Sequence, residues 1–525
     1  MVCYFKVVFP LNIEGFVYEY DGEIKKGVRV EVDLRGEEKI GIVWEKVENP
    51  QFKTKKIGKV IDKEPLIEEG LMKSIQFTSS YYNAPLGMVV KSAFPKKLFQ
   101  KINIGVENDT KIVWGKGGKL LKEQEEAYHE ISSCIKNPIF QSFLLFDAGG
   151  GKTELCLKLV EYVLKNGGSA LVLVPEIFFI SHFFKLFTGR FGKKVVAVNH
   201  SRLTPKERFD VWCRARKGTI KVLIGTRSSV FVPLKNMKFI IIDNEQDESY
   251  KQEVAPLYNA RDVAVVRAKN SNIPIMLVSS TPSLESLYRA KNGECRLFEF
   301  KGRSKDMPQI NIVSLKKGEL ITSLAKREIR NTLHRKKGVI VLVSGMEMEK
   351  VHNTLEDSFP QAHIVRVDRD TTRKKKDFQR ILKEIEKADI IVGTQMVKGC
   401  EFPHINLTVV AFFEALLSSP DVRATEKAVS LIIQMANKGN VIVQSLNPLS
   451  PLFEYVKKYD WRTFAEEELK NRRALLYPPF THLIRFVFQG KREKKLMEQA
   501  QRFTALLKEK IEREIVYGPV KAPIY

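Results

Sequence analysis

The sequence predicts an α/β chain in which two parallel-sheet lobes follow a small β-rich domain and precede an α+β tail. Three observations carry this reading. At 525 residues, and roughly 150 residues per domain, the chain has room for three or four separate cores. Nine short runs are apolar throughout, at 143–146, 170–174, 222–224, 239–242, 275–278, 339–343, 390–392, 407–410 and 441–443, with helical stretches between them. A strand with no polar alternation needs cover on both faces, and intervening helices supply it in a parallel sheet. Nine strands overfill one sheet, so they divide near residue 305. The third observation is a change of texture towards each end of the chain.

Residues 1–104 carry β-type runs at 4–9, 28–32 and 39–43 between turn residues, the pattern of a small β domain. Residues 105–120 include Gly115, Gly117 and Gly118 and read as a linker. The lobes occupy 121–305 and 306–447, and 448–525 returns to helices rich in Lys and Glu, as at 491–514.

Composition narrows the function. Lys and Arg number 87 against 62 Asp and Glu, a net charge of +25 whose field favours a polyanion such as nucleic acid. No apolar run reaches the 18 or so residues of a membrane span, and the N-terminus lacks a basic-then-apolar leader, so a cytoplasmic, nucleoid-associated protein is expected. Cys3, Cys134, Cys156, Cys213, Cys295 and Cys400 are scattered with no C-x-x-C pair, so neither a disulfide framework nor zinc is expected.

After the run 143–146 comes Asp147-Ala148-Gly149-Gly150-Gly151-Lys152-Thr153 and then a periodic helix. Strand, glycine loop and helix form a phosphate-binding loop. Backbone N–H groups of Gly149, Gly150 and Gly151 cradle phosphate, Lys152 reaches it, and the Thr153 hydroxyl ligates Mg²⁺. Phe146 stands where the motif's first glycine belongs. The run 239–242 ends in Asp243-Asn244-Glu245-Gln246, a Walker B-like box whose Asp243 anchors Mg²⁺. ATP and Mg²⁺ are thus the expected cofactors. In DEAD-like motors a catalytic Glu follows that Asp. Asn244 holds the position here and cannot take a proton, so no catalytic residue is assigned.

Further segments follow in register: Leu121 with Gln124, Pro175-Glu176-Ile177, Gly225-Thr226-Arg227-Ser228-Ser229, Ser249-Tyr250-Lys251-Gln252, Ser279-Ser280-Thr281-Pro282, Asp368-Arg369-Asp370-Thr371, Gly393-Thr394-Gln395-Met396, Tyr477-Pro478-Pro479-Phe480 and Gly518-Pro519. In that order they resemble the PriA family of bacterial replication-restart helicases (primosomal protein N′), superfamily 2 motors, from about residue 5 to the last. The resemblance implies RecA-like lobes and a 3′-DNA-end-binding domain at 1–104, where Phe16, Gly36 and Lys55 would cradle the terminal nucleotide. Val17 replaces an acidic residue there. An ordinary core ring is the alternative for Phe16. Gln124 would lie near the adenine. Arg227, Tyr250 and Lys251 would face DNA, with a plain solvated loop as the alternative for the last two. Implied partners are forked DNA with a 3′ end, single-stranded-DNA-binding protein and primosome or helicase-loading proteins.

The departures from the family are equally specific. The 16 residues 105–120 stand where a winged helix would lie, and nothing corresponds to an eight-cysteine zinc module after Ser344-Gly345. Ile433-Gln434-Met435-Ala436 runs straight into Asn437-Lys438-Gly439 without the segment that supplies an arginine finger, and the chain reaches Tyr525 inside the family's C-terminal domain. Two functions stay open. One is a restart factor that binds forked DNA and ATP with weak or absent hydrolysis. The other is an active ATP-dependent 3′→5′ helicase with Glu245 or Glu248 as base and Arg423 or Lys438 as the second-lobe cation.

Overall fold

A computed structural model describes the chain except residues 1, 49, 101–111, 148, 150, 301–306, 344–346, 369–370, 372–374, 400–403, 419–420, 512–514 and 521–525, and except the side chains of 375–379 and 399. Strands β1 (Val2–Val8), β2 (Phe16–Asp21), β3 (Arg29–Leu34), β4 (Glu37–Val47) and β5 (Lys55–Val60) close a barrel in the order β1-β2-β5-β3-β4. Phe5, Val7, Tyr18, Val30 and Val32 fill its interior. Side chains alternate along a strand, so Val8, Ile42 and Trp44 point outward, into a core shared with the helices Glu69–Tyr81 and Leu86–Ala93 and with the first lobe. Phe94 meets Trp212 edge-on at 6.3 Å across that junction.

The first lobe is a seven-stranded parallel sheet: β6 (Ser142–Asp147), β7 (Ser169–Leu173), β8 (Val196–Asn199), β9 (Val222–Gly225), β10 (Met237–Asp243), β11 (Ile275–Ser279) and β12 (Arg296–Phe300), ordered β12-β6-β11-β10-β7-β9-β8. Its interior strands are apolar on both sides because both faces are covered. Leu144, Leu171, Ile240 and Leu277 enter one core, and Phe143, Val172, Ile241 and Met276 enter the other.

The second lobe repeats the plan with β13 (Ile310–Ser314), β14 (Gly338–Leu342), β15 (Ile364–Val367), β16 (Ile390–Gly393), β17 (Ile405–Val410) and β18 (Asn440–Ser445), ordered β13-β18-β17-β14-β16-β15 and parallel throughout. The helices Leu452–Lys457, Trp461–Ala474 and Glu493–Lys510 follow.

The described part of the glycine stretch does not hang free as a linker. Gly115 N–H donates to the Arg190 carbonyl at 2.8 Å, and Gly118 N–H donates to Glu154 Oε1 at 2.8 Å. A Cβ on Gly115 would meet the Gly189 carbonyl oxygen at 2.2 Å, so only glycine allows this approach. Residues 112–118 are therefore strapped along the end of the helix Ile177–Phe191.

Candidate nucleotide site and nucleic-acid interface

Strand β6 ends at Asp147, and the helix Lys152–Lys165 begins after a glycine turn. Gly149 and Gly151 have φ of +113° and +94°, a backbone that L side chains adopt only under strain. The turn sets two backbone donors on one carboxylate. The Gly149 N–H donates to Asp147 Oδ1 at 3.0 Å, and the Lys152 N–H donates to Oδ2 at 2.8 Å. The Lys152 ammonium donates to Asp243 Oδ1 at 2.8 Å and lies 3.5 Å from Asn244 Oδ1. Burial opposes the lysine's charge, but Asp243 and Asp147 outweigh it and hold the ammonium above the ordinary lysine value. Thr153 sits partly exposed in the first turn of the same helix, and Gly150 lies outside the described residues.

Gln124 is placed differently from the expectation of an adenine contact. It is buried, its amide N–H donates to the Gly151 carbonyl at 3.2 Å, and its Oε1 accepts the Leu121 N–H at 3.0 Å. In this conformation it braces the loop. Phe146, at the motif's first position, is also buried and joins Phe178 in an apolar cluster with second-lobe residues such as Ile340 and Val429. Strand end, left-handed glycines, helix N-terminus, lysine and acidic strand end together fit a nucleoside polyphosphate with Mg²⁺. Asp147 already covers two of the donors.

Asn244 adopts φ +47° directly after β10, a left-handed conformation that asparagine tolerates. The next residue is not available as a base. Glu245 is fully buried, pairs with Arg261 at 3.0 Å, and accepts from the Ser283 N–H at 2.7 Å and the Ser286 hydroxyl at 2.9 Å. Glu248 pairs with Lys427 from the second lobe. The alternative cations are engaged as well: Arg423 holds Glu285 at 2.7 Å, and Lys438 donates to the Lys398 carbonyl.

The lobes meet through charge and hydroxyl contacts. Lys398 pairs with buried Asp247 at 2.6 Å. The Thr281 and Ser430 hydroxyls lie 2.6 Å apart, and Glu426 accepts the Leu284 N–H at 3.1 Å. Arg472, from the helix Trp461–Ala474, is fully buried and reaches Glu426 at 2.9 Å and Glu285 at 3.9 Å. A cleft of about 370 Å³ lies alongside, lined by Glu176, Asp247, Arg366, Asp368 and Lys398 among others. Sequence reasoning missed Glu426 and Arg472 as interface residues. A charged residue inside an amphipathic helix gives no sign of the partner it finds in another lobe.

On the expected DNA side the outcome is mixed. Phe16 is 41% exposed, which removes the core-ring alternative. Lys55 pairs with Asp33, and the Gly36 N–H donates to Asp33 Oδ1 at 3.1 Å, so Lys55 and Gly36 meet on one carboxylate. Gly36 has φ +86° and open space around it. Arg227 donates to the carbonyls of Ser249 and Lys251 at 3.1 and 3.0 Å. Lys251 is exposed, its ammonium 4.9 Å from the centre of the Tyr82 ring. Tyr250 departs from both readings made for it. It is fully buried, its hydroxyl within 2.7 and 3.0 Å of the Asp243 and Leu173 carbonyls, and burial pushes its phenol well above the ordinary value. A ring wedged behind the acidic strand end cannot stack on a base. Arg369, Asp370, Phe402 and Pro403 lie outside the described residues, and among the described residues no cluster of three or more His, Cys, Asp or Glu is placed to hold a metal ion. No described helix is long and apolar enough to cross a membrane.

A barrel docked on the first of two parallel-sheet lobes, with a phosphate loop in that lobe, defines a helicase-fold protein with an N-terminal nucleic-acid module. Family models agree: residues 6–95 match the 3′DNA-binding domain (3′BD) of PriA, and residues 121–290 match the DEAD/DEAH box helicase. The replication restart protein PriA of Chlamydia pneumoniae is 32% identical over 482 residues, 76% of this chain and 64% of that protein. That of Bacillus subtilis is 30% identical over 77% of this chain and 60% of its own length, and that of Rickettsia conorii is 29% identical over 94% and 87%. The chain is therefore similar to the PriA replication restart proteins over most of its length, and it spans just under two thirds of the first two relatives. A solved structure of RecG bound to a three-way DNA junction shares the fold, with TM-score 0.50 and 17% identity over 74% of this chain and 50% of that one.

Proposed function

We propose that this chain binds forked DNA presenting a 3′ end, holds ATP–Mg²⁺ through Lys152, Thr153 and Asp243, and hydrolyses it weakly or not at all. Its work is replication restart in the cytoplasm, as a nucleoid-associated platform for single-stranded-DNA-binding protein and helicase-loading partners. One observation carries the weak-turnover reading. The residue after Asp243 is an amide, 3.5 Å from the Lys152 ammonium, and the neighbouring carboxylate of Glu245 is locked by Arg261 and two serines. Asn244 can orient a water but cannot take its proton. General-base catalysis is worth about 10²–10⁴ in rate, and an arginine finger about 10³–10⁵ in comparable phosphoryl transfer. With both reduced, ATP turnover on a forked duplex is expected close to background. A DNA-stimulated rate of about 1 s⁻¹ or more, the low end of ordinary turnover, would instead establish the working-helicase reading.

A further inference from the structure

We infer that Asp147 is a built-in competitor for phosphate, a side chain that occupies the nucleotide loop's own donors and sets how tightly nucleotide binds. The inference rests on the phosphate-loop reading above. Asp147 is the last residue of β6 and is 4% exposed. Its two carboxylate oxygens each accept a backbone N–H of the loop, Gly149 at 3.0 Å and Lys152 at 2.8 Å. Those amides open the helix Lys152–Lys165, where the donors and the helix dipole favour an anion. The lysine that should reach the phosphates is held by a second carboxylate, Asp243, at 2.8 Å. Two acids thus satisfy, from within, the donors and the cation that a polyphosphate would use.

A phosphate can take the Gly149 and Lys152 amides only by displacing Asp147. The displaced carboxylate remains tethered to the strand end, beside a polyanion of like charge. Nucleotide binding therefore loses two ready-made donors and meets an added like charge. The cause is a single residue, because Gly149 and Gly151 already have the left-handed backbone the loop needs.

Calorimetric titration of ATP–Mg²⁺ into the full chain tests this with wild type, Asp147→Ala, Asp147→Asn, Lys152→Ala and the Asp147→Ala/Lys152→Ala double variant. Asp147→Ala is expected to bind about tenfold tighter than wild type or better. Asp147→Asn, which removes the charge and keeps the size, should gain in the same direction, and the gain should vanish in the double variant. Thermal melting identifies any variant that fails to fold, and Asp147→Asn then carries the test. Wild-type or weaker affinity in the Asp147 variants, alongside lost binding in Lys152→Ala, overturns the competitor role and leaves the phosphate loop standing. Unchanged binding in Lys152→Ala overturns the phosphate loop itself.

Discussion

On the proposed weak-turnover reading Asn244 is the residue that limits hydrolysis, and a single substitution asks how much. Asn244→Glu restores a carboxylate after Asp243 but inherits a left-handed backbone, φ +47°, which glutamate adopts less readily than asparagine. Arg423 and Lys438 are meanwhile occupied by Glu285 and the Lys398 carbonyl. The substitution is therefore expected to raise DNA-stimulated ATPase by less than about tenfold, well short of a general base's full worth. A recovery of a hundredfold or more would show that the base alone had been missing. At this scale the loop's residue types could be read from the sequence. Lys152 and Asp243 do meet, because strand ends of one parallel sheet present their loops on one side. Tyr250 could not be placed, since aromatic residues in a polar loop look alike whether they stack on a ligand or anchor the loop. Asp147 was visible as a letter, but its hold on the loop amides depends on backbone geometry.

The nine apolar runs all became strands, and they are the interior strands of the two sheets. The strands that sequence reasoning missed in the lobes are β8, β12, β13 and β15, which are the four sheet edges. An edge strand has one neighbour and one exposed flank, so it tolerates polar residues, as in Arg296 and Glu299 of β12 or Arg366 of β15. That weakens the only signal a parallel strand offers. Helix-borne interface charges were hidden for a similar reason. Arg472→Leu is expected to cost about 3–5 kcal/mol, because it removes the cation paired with buried Glu426, whereas Glu285 keeps Arg423. Arg473→Ala, on the exposed side of the same helix, should cost little; denaturant melts of both variants provide the comparison. Burial and then the neighbouring Glu285 charge push Glu426 up to about 7, against the pull of Arg472 and Arg423. A carboxyl raised on folding stabilises most below its unfolded value, 4.5, and loses that contribution as pH climbs through about 7. Wild type should therefore melt lower at pH 8 than at pH 6, and Glu426→Gln should narrow the difference.

Across the whole molecule the +25 charge and the exposed ring of Phe16 make separable demands on DNA. Charge acts on any backbone: each phosphate neutralised by Lys or Arg releases condensed counterions, so affinity falls linearly with the logarithm of salt. Making six to ten such contacts would lower affinity by about 10³–10⁵ between 50 and 200 mM salt, for forked and plain duplex alike. An exposed aromatic ring adds a term only where a base is free to stack, worth about 1–3 kcal/mol by alanine substitution. Phe16→Ala should thus weaken binding to a fork with a free 3′ end by roughly 5- to 150-fold, while plain duplex affinity and both salt slopes stay near wild type. Lys55→Ala should behave differently, lowering the slope by about one if that ammonium leaves Asp33 for a phosphate. Fluorescence anisotropy at three salt concentrations on both substrates separates the terms. Equal losses on fork and duplex for Phe16→Ala would remove the terminal-nucleotide pocket from the barrel and leave only its charge.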